Sequence, residues 1–286
     1  MSIALAGPGA SLRRSVVRHS ILILAALAML YPLLWMAGSS FKPDNLIFSQ
    51  PGIIPETWDL SNYSNGWSVL RVSFTTFYAN SFFIAGMAVI GNLMACSLTA
   101  FAFARLEFRF KWFWFAMMMG TLMLPYHVTL VPQYILFLRL GWVNSYLPLV
   151  VPRFLAVDAF FIFLMVQFFR GIPREIDEAA TMDGCGPWRI YWRIMLPLSM
   201  PVLATAAIFS FIWTYDDFLA PLIYLNDMRQ YTVPLALRAF IDSSGGESLY
   251  GEMFAMSTLS LLPVFFVFLA FQRLIIRGVA LGALKR

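Results

Sequence analysis

The stretch EAATMDGCGPWRIYWRIMLP, residues 178–197, lies between two long apolar segments and decides how the chain is organised. Carboxylates stand in and just before its opening turn, where they suit the positive end of a helix dipole, and Gly184 is a residue type that commonly ends a helix. Pro187 can then begin a second short helix. The large apolar side chains of that helix recur at the spacing of one face: Trp188, Tyr191, Trp192 and Met195. The stretch therefore predicts a helix-turn-helix with an apolar, aromatic ridge.

The remainder of the chain has the composition of a membrane protein. Of its 286 residues, 60% are hydrophobic and 12% are charged, with a mean hydropathy of +0.74. This leaves too little polar surface to coat a soluble globule, whereas lipid can solvate the excess. We predict an all-α membrane protein with six transmembrane helices, kinked at prolines within several of them. The six apolar segments are residues 20–40, 77–104, 112–138, 147–169, 198–225 and 253–276.

The distribution of lysine and arginine sets the orientation. An even number of spans puts both termini on one side, and fourteen of the twenty basic residues fall on that side together with residues 178–197. The positive-inside rule places that side in the cytoplasm. Because the basic residues flank spans instead of forming one stripe, the net charge of +5 does not indicate nucleic-acid binding. The first apolar segment is longer than the core of a signal peptide, so we expect it to be a retained helix.

The spacing of the polar stretch resembles the EAA loop, which is the cytoplasmic coupling loop of ATP-binding-cassette (ABC) importer permeases. The ATPase-coupling residues implied by this resemblance are Glu178, Ala179, Ala180, Asp183, Gly184, Ile194, Leu196 and Pro197. Three more stretches resemble the carbohydrate-uptake branch and its maltose-type second permease subunit: MLPYHVTLVPQY (123–134), QFFRGIPREIDEAATMDG (167–184) and QRLIIRGVALGALK (272–285). The resemblance implies the type I ABC importer fold, with one transmembrane permease domain over residues 1–286 and a coupling loop at about 170–197.

The same resemblance implies the partners. The chain would pair with a second homologous permease, two ATPase subunits and an extracytoplasmic solute-binding protein in the bacterial inner membrane. No Gly-rich Walker loop occurs in the sequence, so ATP would be bound by the partner subunits and this chain would hold no cofactor, metal or catalytic residue. The solute would be a sugar or glycoside, with a polyol or glycerol phosphate ester as the alternative. The alternative to a coupling loop is that residues 178–197 form an amphipathic loop that only turns the chain at the membrane surface.

Polar side chains within the apolar segments are the candidate pathway residues, because an ionisable group in hydrocarbon costs at least about 2.5 kcal/mol and usually faces a cavity or a partner. They are Tyr215, Asp216, Asp217, His127 and Asp158. In the resembling family Trp-Asn-acid-Phe is usual here, so Asp217 fits while Asp216 replaces the amide. The aspartates could instead be structural carboxylates that pair with the second permease, and His127 a structural histidine. Helical spacing does not set Arg153 and Asp158 face to face, so a structural ion pair with another helix is a further alternative for Asp158.

Two of the predicted outward loops have informative sequences. Residues 51–67 predict ordered turns with short helical pieces. The stretch DSSGGES, residues 242–248, puts Gly245 and Gly246 at a loop tip. In the resembling family the last outward loop contacts the binding protein, so the resemblance implies that role for these glycines; an ordinary surface loop is the alternative. Two other functional classes lack the sequence patterns that they require. An intramembrane aspartyl protease would need a Gly-x-Gly-Asp sequence in a span, and none occurs. A secondary transporter would show inverted repeats, which are not apparent.

Overall fold

The computed structural model describes residues 8–242 and 249–283, with side-chain surroundings for residues 15–241 and 249–272. Within these ranges the chain is helical and contains no strand. Its contacts divide it into two compact units. Unit 1 comprises Met1–Val69 and Phe240–Leu259, and unit 2 comprises Leu70–Ala239 and Ser260–Arg286.

The helices are numbered in chain order. They are α1 (Pro8–Ser39), α2 (Asp44–Ile47), α3 (Ser61–Ser68), α4 (Phe74–Arg105), α5 (Lys111–Thr121), α6 (Tyr126–Arg139), α7 (Leu147–Val150), α8 (Ala159–Gly171), α9 (Glu175–Met182), α10 (Pro187–Ile190), α11 (Leu196–Leu198), α12 (Met200–Tyr215), α13 (Leu219–Tyr224), α14 (Val233–Asp242) and α15 (Tyr250–Ala283). Short 3-10 turns occur at Val151–Leu155 and Met228–Gln230, and a π-helical turn occurs at Tyr191–Met195.

The predicted number of spans agrees with the helices. Four helical segments are long and apolar enough to cross a membrane: Ser15–Ser39, Phe74–Arg105, Leu147–Gly171 and Tyr250–Gln272. Two further spans are bent pairs of helices, Lys111–Thr121 with Tyr126–Arg139 at 100° and Pro187–Leu198 with Met200–Tyr215 at 77°. Counting each bent pair as one span gives six.

The bends lie where prolines remove backbone donors. The 100° bend falls just before α6, at Pro125, whose ring also restricts the residue before it to extended conformations. The 77° bend is centred on Ser199, shortly before Pro201. The prediction of a helix through residue 225 was wrong, because α12 ends at Tyr215 and the chain restarts as α13 three residues after Asp216. The predicted kinks are therefore breaks, which leave polar side chains at the ends of short helices.

Unit 2 is built around α4, which packs against α8 and α12. Small residues on α4 allow close approach: a Cβ added at Gly91 would lie 2.8 Å from the Phe154 ring and 2.9 Å from the Arg153 backbone. A buried hydrogen bond of 2.9 Å from Asn92 Nδ2 to Ser210 Oγ links α4 to α12. Small residues and interhelical hydrogen bonds are what hold helices together in lipid, where hydrophobic burial between helices gives no driving force.

Unit 1 orders the first outward loop. Lys42, 1% exposed, donates from Nζ to the carbonyl oxygens of Gln50 and Gly52, both at 2.6 Å. Asn62 at the start of α3 donates to the carbonyls of Ser40 at 3.0 Å and Lys42 at 2.8 Å. These contacts satisfy buried groups and confirm the prediction of ordered turns with short helical pieces in this loop.

Candidate functional site

The first helix of the polar stretch, α9, carries carboxylates at its positive end. Glu175, Asp177 and Glu178 all lie in its first turn, which favours helix formation through the dipole. Ala180 faces the core of unit 2 and is 7% exposed, whereas Glu178 and Ala179 face outward. The small Ala180 side chain lets α9 lie directly on the core while leaving its acidic face free.

Gly184 ends this helix by a backbone device that the sequence predicted. Its φ is +77°, in the left-handed region that favours glycine. The Gly184 amide donates to Thr181 O and the Cys185 amide donates to Ala180 O, both at 2.9 Å, which is the hydrogen-bond pattern of a Schellman cap. Cys185, a free cysteine, packs on the same core as Ala180. The turn between the two helices is thus fixed by hydrogen bonds rather than left open.

The second half of the stretch corrects the predicted ridge. Helix α10 continues into the π-helical turn Tyr191–Met195, and Tyr191 and Met195 are buried in the core. Trp188 and Trp192 remain exposed, although the three aromatic rings contact one another at 5.3 to 5.9 Å between centroids. The four residues of the predicted ridge are therefore divided between the core and the surface. The extra residue of a π turn rotates the following side chains, so a 3.6-residue period no longer predicts which of them share a face.

Tyr191 anchors the second half to the centre of unit 2. Its hydroxyl lies 2.7 Å from Ser97 Oγ of α4 in a buried hydrogen bond, and its ring contacts Phe101 at 5.3 Å. Ile194 and Leu196 are half-buried against the same core, while Pro197 is exposed. Ile194 and Leu196 thus pack the end of the stretch against the core of unit 2.

Arg105 is a site residue that the sequence reasoning did not find. It ends α4, and its Nη2 donates to Ile172 O at 2.7 Å. Its Nε lies 3.0 Å from Asp177 Oδ2, and the two side chains are 5% and 19% exposed. The Nε–H is not aligned as a hydrogen bond, so this contact is an ion pair held by charge. The only sequence signal is a basic residue that ends a span and an acidic one that opens α9.

A cleft of about 390 Å³ lies beside this ion pair. Its lining includes Arg105, Arg174, Asp177, Glu178 and Met182. The Met182 side chain is 89% exposed, and Asp183 beyond it is also exposed. The cleft offers charged groups of both signs next to an apolar, flexible side chain, a composition that suits contact with another protein surface.

The structure separates the three candidate pathway residues at the end of α12. Tyr215 is 2% exposed and its hydroxyl donates to Ser260 O at 3.4 Å, so it is a packing residue within unit 2. Asp216 is exposed. Asp217 is half-buried and accepts a hydrogen bond from the Ala220 amide at 3.2 Å, which caps the start of α13.

Asp158 has a partner that helical spacing did not predict. Arg153 Nη1 lies 2.6 Å from Asp158 Oδ2, with both side chains half-buried. The expectation that they do not face each other was wrong, because the chain between them is not an α-helix. The 3-10 turn Val151–Leu155 ends at Ala156, whose φ of 55° turns the backbone and folds Asp158 back onto Arg153.

Several polar groups from separate elements meet near this pair. Arg153 interacts electrostatically with Asp217 and with Tyr126, the first residue of α6. Tyr224 of α13 lies near Tyr126 and Asp217, and its buried hydroxyl has no hydrogen-bond partner among the described residues. His127, beside Tyr126, is exposed. Tyr126 and Tyr224 were not among the predicted pathway residues, since tyrosines are common in spans and carry no distinguishing signal.

Two remaining predictions concern other kinds of site. Among the described residues, no group of three or more histidine, cysteine, aspartate or glutamate side chains could hold a metal ion. Gly245 and Gly246, the predicted contact for a binding protein, lie outside the described residues.

The comparison with known proteins connects this geometry to a family. A profile of the family described as "Binding-protein-dependent transport system inner membrane component" matches residues 87–281, which include both α9 and α10. The trehalose/maltose transport system permease protein MalG of Thermococcus litoralis is 31% identical over 96% of this chain and 99% of its own length. The diacetylchitobiose uptake system permease protein NgcG of Streptomyces coelicolor is 29% identical over 99% and 93%.

Two other similarities bear on substrate and fold. The sn-glycerol-3-phosphate transport system permease protein UgpE of Salmonella typhi is 31% identical over 92% of this chain and 95% of its own length. A chain in the crystal structure of a bacterial ABC transporter involved in the import of the acidic polysaccharide alginate superposes with a TM-score of 0.81 at 21% identity, covering 94% of this chain and 98% of that one. The chain belongs to the family of binding-protein-dependent transport system inner membrane components.

Proposed function

We propose that this chain is the permease subunit of an inner-membrane importer for a sugar or glycoside and that its polar stretch docks onto ATPase subunits. As a member of its family it is a transport subunit rather than an enzyme, and it works in a complex with other transporter subunits. The docking proposal rests on the burial of the stretch: one side of it is packed against the core, and the other side is exposed. Ala180 and Tyr191 are buried against the core, whereas Glu178, Met182 and Trp188 are exposed.

The proposed partners are a second homologous permease, two ATPase subunits that bind ATP, and an extracytoplasmic binding protein. No residue of this chain is assigned to ATP in this arrangement. Closure of the ATPases around ATP would displace α9, and the anchored loop would pass the displacement to α4. Such a movement can switch a permease pair between inward-open and outward-open states, because packed helix interfaces have discrete alternative arrangements.

The pathway proposal rests on the polar groups at the breaks of the fifth and third spans. Asp216 and His127 are exposed, and Asp217, Asp158 and Tyr224 lie near them on short or broken helices. Non-helical backbone at membrane depth is tolerated where it lines a cavity or is buried in protein. Hydroxyl and carboxylate groups of this kind can exchange hydrogen bonds with the hydroxyls of a sugar.

A sugar or glycoside is favoured because two of the three relatives described above are named for disaccharide uptake. Glycerol phosphate is the alternative, since the relative named for it is equally similar in sequence. The charges near the pathway argue against an anion: three carboxylates, of Asp158, Asp216 and Asp217, stand there with one nearby guanidinium, that of Arg153.

One experiment tests both halves of the proposal. The tagged chain is expressed with its partner subunits, and recovery of the ATPases and uptake into vesicles are measured. The binding protein is titrated with maltose, trehalose, diacetylchitobiose and sn-glycerol 3-phosphate. Sugar binding together with ATPase recovery supports the proposal. Binding of the phosphate ester alone would select the alternative solute, and a correctly inserted chain that recovers no ATPase would refute the docking role.

A further inference from the structure

A second cleft, of about 260 Å³, lies where α4 ends, α5 begins and α8 ends. The positive-inside rule assigns this end of the helices to the cytoplasmic face. Four cationic side chains and one carboxylate line it: Arg105, Lys111, Arg170, Arg174 and Glu107. The lining therefore holds four positive charges and one negative charge in a single cavity at the level of the span ends.

Two of the four cations are neutralised within the chain. Arg105 pairs with Asp177 at 3.0 Å, and Lys111 Nζ lies 3.1 Å from Glu107 Oε1. Arg170 and Arg174 differ, because no carboxylate among the described residues forms an ion pair with either. The cleft therefore presents two guanidinium groups whose charge the described part of the chain leaves uncompensated.

The position of Arg170 relates the cleft to the bilayer. Its guanidinium carbon lies 5.3 Å from the centroid of the Trp112 ring and 5.2 Å from that of Phe115. Trp112 and Phe113 are 67% and 57% exposed. Tryptophan at the end of a span marks the headgroup level of a membrane, and exposed rings next to it face acyl chains.

We propose that this cleft binds the phosphate of an anionic lipid headgroup from the cytoplasmic leaflet. Arginine forms paired, charge-assisted hydrogen bonds to phosphate oxygens, and two arginines at one cavity can share one phosphate. Basic cavities between span ends on this side of a membrane suit such headgroups. A free phosphate ion would bind the arginines equally well, but only a lipid also supplies acyl chains that can cover the exposed rings of Trp112 and Phe113.

Native mass spectrometry of the purified complex tests the site. The complex is exchanged into detergent and supplied with phosphatidylglycerol or phosphatidylcholine, and the retained lipids are counted. The wild-type complex should retain phosphatidylglycerol in preference to phosphatidylcholine. The variants Arg170→Gln and Arg174→Gln should each bind phosphatidylglycerol about fivefold more weakly, since a basic residue near an anionic membrane contributes about 1 kcal/mol. Arg109→Gln is the matched control: Arg109 is exposed on the same side, contacts Phe110 at 4.9 Å and does not line the cleft.

Three outcomes would overturn the proposal. Equal retention of the two lipids would show that the cleft does not select for charge. An equal loss in Arg109→Gln would show a general surface effect. Displacement of the lipid by millimolar inorganic phosphate, with no preference for phosphatidylglycerol over free phosphate, would assign the cleft to a soluble anion. Because lipid retention is measured without transport or ATP, its failure is distinct from a failure of the importer proposal.

Discussion

Arg105 and Asp177 join the end of the central helix α4 to the first turn of α9 through an ion pair of 3.0 Å. Arg105 also donates to Ile172 O at 2.7 Å, so one side chain holds both the backbone before α9 and the helix itself. Its side chain is buried, which limits screening by water and salt. The first turn of α9 is therefore fixed to the end of α4, the helix against which α8 and α12 pack.

The first prediction concerns this ion pair. Arg105→Gln leaves the Asp177 carboxylate without its partner in a mostly buried position, so we expect the complex to lose up to about 3 kcal/mol of stability. Asp177→Asn should cost a similar amount, and the double variant should cost less than the sum of the two. Thermal unfolding in detergent measures all three. Strictly additive losses would mean that the two side chains do not interact in the folded protein.

The second prediction isolates the backbone at Gly184. A Cβ at Gly184 or at Gly186 would meet nothing within 4 Å, but only Gly184 has a positive φ, of +77°. Gly184→Ala should therefore destabilise the loop by about 1 kcal/mol and weaken ATPase recovery, because an L-residue opposes the left-handed conformation. Gly186→Ala should cost less, because Gly186, the N-cap of α10, has a φ of −76° that alanine adopts without strain. If both alanines have the same effect on melting temperature, the left-handed cap is not what holds the turn.

The third prediction addresses docking. Glu178→Lys should leave expression and insertion unchanged, since the side chain is exposed, but should reduce ATPase recovery and uptake. Glu175→Lys is the matched control, because Glu175 is also exposed, lies in the same first turn and makes the same charge change without lining the cleft at Arg105. Uptake at the wild-type rate in normally expressed Glu178→Lys would contradict the docking role.

The sequence predicted the parts of this protein that local patterns determine. The six spans and the helix end at Gly184 are present in the structure. Both depend on the local sequence, the spans on the length of an apolar segment and the helix end on the backbone freedom of one glycine. The pairing of Arg105 with Asp177 was not predictable, because it joins residues far apart in the chain. The contact of Arg153 with Asp158 depends on Ala156 at a φ of 55°, a conformation for which alanine gives no signal.

The predicted apolar, aromatic ridge is divided between core and surface for a related reason. A heptad-like pattern at Trp188, Tyr191, Trp192 and Met195 assumes 3.6 residues per turn, and the π-helical turn Tyr191–Met195 breaks that period. Tyr191 is then drawn inward by its hydrogen bond to Ser97. Contacts with α4 therefore determine which of the four side chains are buried. The sequence of the loop alone does not reveal those contacts.

The fourth prediction tests the topology. Position 65, in α3, and position 183, after α9, are both exposed and are predicted to lie on opposite sides of the membrane. In a Cys185→Ser background, Asn65→Cys should react with an impermeant maleimide in intact cells, and Asp183→Cys should react only after the membrane is opened. The parent with Cys96 alone is the blank, because Cys96 is buried. Labelling of Asp183→Cys from outside would reverse the orientation and with it the coupling proposal.

The last prediction separates a pathway role from a structural role for the aspartates after α12. Asp217→Asn keeps an oxygen that can accept from the Ala220 amide and removes only the charge. Because Arg153 is paired with Asp158 at 2.6 Å, Arg153 keeps a carboxylate partner when the Asp217 charge is lost. We therefore expect Asp216→Asn and Asp217→Asn to assemble at normal yield and to transport less solute per complex.

Asp158→Asn provides the contrast for this test. It removes the carboxylate that pairs with the half-buried Arg153, so it should lower the yield of complex in detergent, by less than the about 3 kcal/mol that breaking a fully buried pair costs. Yield and transport per assembled complex are measured for all three variants side by side. Reduced yield with normal transport per complex in the Asp217 variant would show that Asp217 is structural. A residue that only stabilises the fold changes how much complex forms but does not change transport by each complex.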